Sequence, residues 1–174
     1  MDAGQPPTEL YVSGSVTILV FHFATNRRHS RRDSKGLVMY RIIYKSVACA
    51  PFSETELKKL LVASRLRNAE AGLTGMLIYD RETFLQMLEG DMAPTFKTFA
   101  RIERDPRHKD ISVLLRDPNA ADRAFGDWSM GYAGGSTAAS ILKGFVDLPD
   151  GLRTAALDRV NAVKILAEAA KLAA

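Results

Sequence analysis

At 174 residues the chain has the size of one ordinary domain with extensions, and its 47% hydrophobic and 25% charged residues mark a globular protein without separating an enzyme from a binding module. The single cysteine, Cys49, excludes an internal disulfide and favours a reducing, cytoplasmic setting, and no apolar run approaches the roughly 20 residues of a membrane span or has the flanks of a secretory signal. The net charge of +4 is matched by Arg27, Arg28, Arg31, Arg32 and Lys35 against Asp33 alone, so the rest of the chain is near neutral and carries no general nucleic-acid footprint.

Residues 1–36 read as an extension: Gly4, Pro6 and Pro7, a short apolar run, then the basic, serine-containing stretch. Regular signals begin near residue 37. A strand is expected over 37–46, with Val38, Tyr40, Ile42 and Tyr44 on one face by the period-two rule. Ser53-Glu54-Thr55-Glu56 is a capping box that opens a helix. Leu57, Leu60, Leu61 and Ser64 form a stripe on it that carries Asn68 into the core, and Gly72 follows as a C-terminal cap.

Two strands are expected at 73–79 and 83–88, joined by Asp80-Arg81-Glu82. The second is apolar on both faces, as a doubly covered central strand reads, yet Gln86 sits in its middle. Pro94 suits the first turn of a second helix, with Phe96, Phe99 and Ile102 as its contacts and Asp105-Pro106 as its stop. Residues 111–115 read as a fourth strand and 117–127 as a polar loop. Trp128, Met130 and Tyr132 alternate as a short fifth strand would, before Gly134-Gly135 breaks the pattern. The order β-α-β-β-α-β predicts an α+β, ferredoxin-like βαββαβ sandwich, here with an added fifth strand and C-terminal helices. Residues 154–172 are alanine-rich, with Leu157, Val160, Val163 and Leu166 at helical intervals, and predict an amphipathic helix for the sheet or for another chain.

Three polar residues, Tyr44, Asn68 and Gln86, fall at core positions, where an unpaired polar group costs roughly 1–3 kcal/mol. Singly, each has an ordinary explanation: an edge phenol reaching water, a helix-end cap, an amide on loop backbone. Together they line one mostly aliphatic cavity with donors and acceptors, which suits a planar heteroaromatic with imide and carbonyl edges.

These residues lie in stretches that resemble the BLUF domains, sensors of blue light using FAD. The matching segments are Tyr40-Arg41-Ile42-Ile43-Tyr44-Lys45-Ser46, Arg67-Asn68-Ala69-Glu70-Ala71-Gly72-Leu73-Thr74-Gly75-Met76-Leu77-Ile78-Tyr79, Phe84-Leu85-Gln86-Met87-Leu88-Glu89-Gly90, Asp105-Pro106-Arg107-His108 and Asp127-Trp128-Ser129-Met130-Gly131-Tyr132. The resemblance covers residues 39–134. It divides the chain into a basic extension at 1–38, expected to lack fixed structure and to lie upstream of where such domains begin, a flavin-binding domain at 39–134 and a helical extension at 135–174.

The resemblance implies FAD, with FMN or riboflavin as alternatives, between the two helices. It makes Tyr44 the photoactive tyrosine, Gln86 the switching glutamine and Asn68 the partner of the flavin's imide edge. Arg107 and His108 match positions near the ring, and Trp128 and Met130 match a strand where a tryptophan or methionine exchanges places beside the glutamine. The implied mechanism is light-driven electron transfer from Tyr44 with proton movement through Gln86, whose hydrogen bonds rearrange while no substrate is consumed.

No dinucleotide or phosphate-binding loop is present, His22, His29 and His108 lack metal-ligand spacing, and Cys49 has no activating partner in the sequence. The expectation is therefore a sensor and not an enzyme. Its output is expected to pass to a downstream effector protein or to a second copy in a homo-oligomer, with no membrane or nucleic acid involved. The main rival is an RNA-binding domain of the same topology using the basic segment as an arm, and a small hydrolase is weaker still.

Overall fold

In the computed structural model, which describes residues 12–13, 16–17, 39–145 and 151–173, the alternation in the sequence becomes a five-stranded sheet. The chain divides into two units, residues 1–35 and 36–174. In the first, β1 (Val12–Ser13) and β2 (Val16–Thr17) form an antiparallel pair with Val12 opposite Thr17. The remainder of the expected 1–38 extension, Val38 included, lies outside the described residues.

The second unit runs β3 (Met39–Ala48), α1 (Glu54–Ala71), β4 (Thr74–Asp80), β5 (Thr83–Asp91), α2 (Met92–Glu103), β6 (His108–Ala120), β7 (Gly131–Gly134), α3 (Gly135–Phe145) and α4 (Arg159–Ala173). The strand order is β6-β3-β5-β4-β7, all neighbours antiparallel except β4 and β7. The first four strands give the ferredoxin-like βαββαβ sandwich, and β7 is the added strand.

Local chemistry accounts for the punctuation. The Ser53 hydroxyl accepts from the Glu56 amide at 3.3 Å while the Glu56 carboxylate accepts from the Ser53 amide at 2.9 Å, closing the capping box. Gly72 ends α1 at φ 67°, a left-handed position that glycine takes without penalty. The β4–β5 hairpin turns on Arg81 and Glu82, both at positive φ (43° and 63°), the backbone of a type I′ turn without its usual glycine. At Gly75 an added Cβ would stand 2.2 Å from the Met87 carbonyl oxygen, so no side chain fits there.

Both faces of the sheet are covered. Tyr40, Ile42 and Tyr44 of β3 and Phe84 and Leu88 of β5 pack with Leu57, Leu61 and Phe99 of α1 and α2. The alternate residues, Ile43, Met76, Ile78, Leu85 and Met87, pack against Ile141, Leu142, Ile165 and Leu166 of α3 and α4. The C-terminal helices thus cover the chain's own sheet. Two polar ties assist: Asp80 accepts from the Leu152 amide at 3.0 Å, and Lys45 donates to the Ala155 carbonyl at 2.9 Å.

Three expectations need correction. β6 continues through Ala120 where a polar loop from 117 was expected, because Met39 pairs with Ala120 and Arg41 with Asp117. An edge strand needs a ladder on one side only, so its polar side chains and Pro118 are tolerated. Trp128 and Met130 lie before β7, not in it: the ladder with β4 begins at Met76 and Gly131, while the Ser129 and Met130 carbonyls are taken by side chains of α1. Finally, α4 starts at Arg159, five residues later than expected. Asp158 caps it, its carboxylate accepting from the Asn161 amide at 2.7 Å. Its buried stripe is Ala162, Ile165, Leu166 and Ala169, whereas Val160 is 50% exposed.

This rotation is testable by unfolding in urea. Ile165→Ala is expected to cost about 2–5 kcal/mol of stability, and Val160→Ala to stay within about 0.5 kcal/mol.

Candidate functional site: a buried phenol and amide

The antiparallel register of β3 and β5 sets Tyr44 opposite Gln86, so phenol and amide are neighbours by construction. Tyr44 is fully buried and Gln86 nearly so. The Tyr44 hydroxyl donates a short hydrogen bond to Gln86 Oε1, and Gln86 Nε2 donates to the Met130 Sδ at 3.5 Å. Burial pushes the Tyr44 phenol well above its ordinary range, and the negative charge of Asp105 pushes the same way. The phenol therefore stays protonated and is able to donate this bond.

Asn68 is the one buried polar residue of α1, and its Nδ2 donates to the Ser129 carbonyl at 2.7 Å. Arg65, one turn earlier, donates from Nε to the Met130 carbonyl at 2.9 Å. Both hold the backbone of the segment that brings Met130 to Gln86.

Between α1 and α2 these groups open on a cavity of about 550 Å³, within the usual size range for small-molecule sites. Tyr44, Asn68, Gln86, His108 and Met130 line it with Leu60, Leu77, Phe84 and Ile102, and the exposed cations Lys59, Arg67 and Arg101 reach its edge. Gln86 Nε2 meets only a thioether there, a weak acceptor, so a ligand carbonyl or ring nitrogen would be a stronger one. The donor set and apolar walls fit a flavin ring, and the cations at the edge fit an anionic tail.

The other expected residues divide. His108 lines the cavity with its ring 4.9 Å from that of Phe84 and Nδ1 3.0 Å from the Ser46 hydroxyl. Burial lowers its pKa, against the Asp105 charge and with the Arg107 charge. Arg107 also lines the cavity, but its guanidinium is engaged by Asp105 at 2.9 and 2.5 Å. Those bonds draw the Asp105 carboxyl down to about 2. Trp128 is not brought to Gln86: it packs with the opposite cluster, on the α3 and α4 side. Ser46, Arg65 and Glu89 were missed, for a strand serine, a helical arginine and a strand-end acid carry no signal by themselves.

Residues 39–131 match the family model described as sensors of blue-light using FAD. The chain belongs to the BLUF family. A photoactivated adenylate cyclase subunit beta of Euglena longa is 38% identical over 74 residues, which is 42% of this chain and 8% of that protein, so the chain spans a small part of such relatives. BlrB, described as a BLUF protein in its dark state, superposes with a TM-score of 0.65 at 26% identity over 76% of this chain and 96% of that one. A bacterial light-regulated adenylyl cyclase does so with a TM-score of 0.52 at 29% identity, over 55% of this chain and 27% of that one. The BLUF chain is a flavin-binding blue-light sensor whose chromophore is FAD, and the RNA-binding alternative falls away.

The pKa of His108 sets a pH dependence. In the unfolded chain it takes up a proton near the ordinary 6.5, whereas in the fold it does so only at lower pH. Stability is therefore lost as pH falls below that ordinary value. The urea midpoint is expected to drop more between about pH 7.5 and about pH 5.5 in wild type than in His108→Gln.

Proposed function

We propose that this BLUF chain signals through the Tyr44–Gln86–Met130 hydrogen-bond chain, with Tyr44 as the redox and proton partner of the chromophore and Gln86 as the switch. The observation that carries this is the fixed polarity of the Gln86 amide, its oxygen on the phenol and its nitrogen on the thioether. Bound FAD supplies the absorption of blue light and an electron acceptor. The buried phenol gives up a proton only along its one hydrogen bond, which leads to Gln86. An amide that rotates or changes tautomer must exchange both partners at once, and the low dielectric makes each exchange energetically large.

Asn68, Arg107 and His108 complete the flavin contacts in this reading. Asn68 offers its amide oxygen to an imide edge, and Lys59, Arg67 and Arg101 favour the diphosphate of FAD over riboflavin. Residues 39–134 act as the sensing domain and 135–174 as its helical output. Trp128, on the far face, and Met130, at the switch, are two residues apart, so a change at Gln86 reaches the α3 and α4 side through one short segment. This route rests on adjacency. Output passes to a downstream effector protein or a second copy of the chain. Cyclase activity belongs to the relatives, and this chain is a sensor, not an enzyme, working in the cytoplasm. No described helix is long and apolar enough to cross a membrane.

An absorption spectrum before and after blue illumination tests the reading. Wild type is expected to hold oxidised flavin whose visible band moves to the red and returns in darkness; folded protein without flavin overturns it. Tyr44→Phe and Gln86→Leu are expected to keep flavin and lose the shift entirely, and a normal photocycle in either removes its assigned role. Asn68→Ala is expected to weaken flavin retention about tenfold, the size of one hydrogen bond left unpaired.

A further inference from the structure

Glu89 is the one buried carboxylate among the described residues, with no exposed surface, and it takes no part in the cavity. It lies near the end of β5 beside Arg41 of β3 and Thr74 of β4. Its Oε2 accepts from Arg41 Nε at 3.3 Å, Arg41 Nη2 at 3.2 Å and the Ala124 amide at 3.0 Å. Its Oε1 accepts from the Thr74 hydroxyl at 3.0 Å and the Phe125 amide at 2.9 Å. Two successive amides of one loop therefore converge on one carboxylate, a strong, charge-assisted arrangement.

The same loop is tied twice more. Arg41 Nη2 donates to the Asp122 carbonyl at 2.7 Å. Arg123 donates to the Thr74 hydroxyl at 2.9 Å and the Gly72 carbonyl at 2.8 Å. Beyond Phe125 the chain reaches Trp128, whose amide donates to the Phe125 carbonyl at 3.0 Å and whose carbonyl accepts from Gly75 at 3.1 Å. It then meets the β7 ladder at Gly131. Both ends of the segment are thus fixed, and its register follows: Trp128 falls on the far face and Met130 at Gln86. A two-residue slip that brought Trp128 to Gln86 would strip the loop amides from a carboxylate that no water reaches.

We propose that Glu89 is a positioning residue for the switch: its carboxylate latches the 122–125 loop and thereby decides that Met130, and not Trp128, stands against Gln86. The effect on the photocycle rests on the function proposed above, whereas the latch itself does not.

Trp128 is the single tryptophan of the chain and reports the register directly. Glu89→Gln keeps the shape but gives the loop one acceptor oxygen in place of two, and Arg123→Gln loosens the same loop from an exposed position that folding tolerates. In the full, flavin-free chain both variants are expected to raise acrylamide quenching of Trp128 by about twofold, as local opening increases. In the flavin-loaded chain both are expected to slow dark recovery by about threefold, because the latch favours the register with Met130 at Gln86, which we assign to the dark state. Unchanged quenching overturns the latch, and changed quenching with unaltered recovery overturns the positioning role. Where Glu89→Gln does not fold, Arg123→Gln decides. A wild type without flavin or light response sinks the functional reading alone, and Trp128 quenching then decides the latch.

Discussion

Gln86 sits in the middle strand of a sheet covered on both faces, where both ends of its amide must find partners without water. The rest of the site follows from that. Across the strand pair the register supplies Tyr44, whose buried phenol keeps its proton and donates to the amide oxygen. The NH2 is left for Met130. Intermediate orientations would leave a buried donor or acceptor unmatched, so the network has discrete states.

That arrangement needs Met130 at the right depth, and the segment bearing it belongs to no regular element. Its carbonyls go in three directions: Trp128 to β4, Ser129 to Asn68 and Met130 to Arg65. Asn68 belongs to this scheme through its NH2, which holds the backbone beside Gln86 and Met130. One segment consequently touches the α1 and α2 face through Met130 and the α3 and α4 face through Trp128.

The features legible in the sequence were those written in short-range patterns. The capping box at Ser53, the left-handed cap at Gly72 and the alternation of Tyr40, Ile42 and Tyr44 depend on neighbours a few residues away, and they appear where the patterns place them. The ferredoxin-like topology follows from the order of such elements. What escaped depends on distant partners. Residues 128–130 alternate like a strand, but Ser129 and Met130 give their carbonyls to helix side chains. The segment that leads into α4 is held by Asp80 and Lys45, more than 70 residues upstream, which no local pattern announces. Glu89 shows no partner in the sequence, and in the fold Arg41, Thr74 and the 124–125 amides close over it.

The two edges of the sheet also differ from its centre in a way that bears on crowding. At one edge β6 carries Pro118, Asp110 at φ 52° and three register shifts against β3, and at the other β7 is only four residues long. Neither presents the long, straight row of free amides and carbonyls on which a second chain could extend the sheet. Extension of this sheet edge to edge by a second copy is thereby disfavoured.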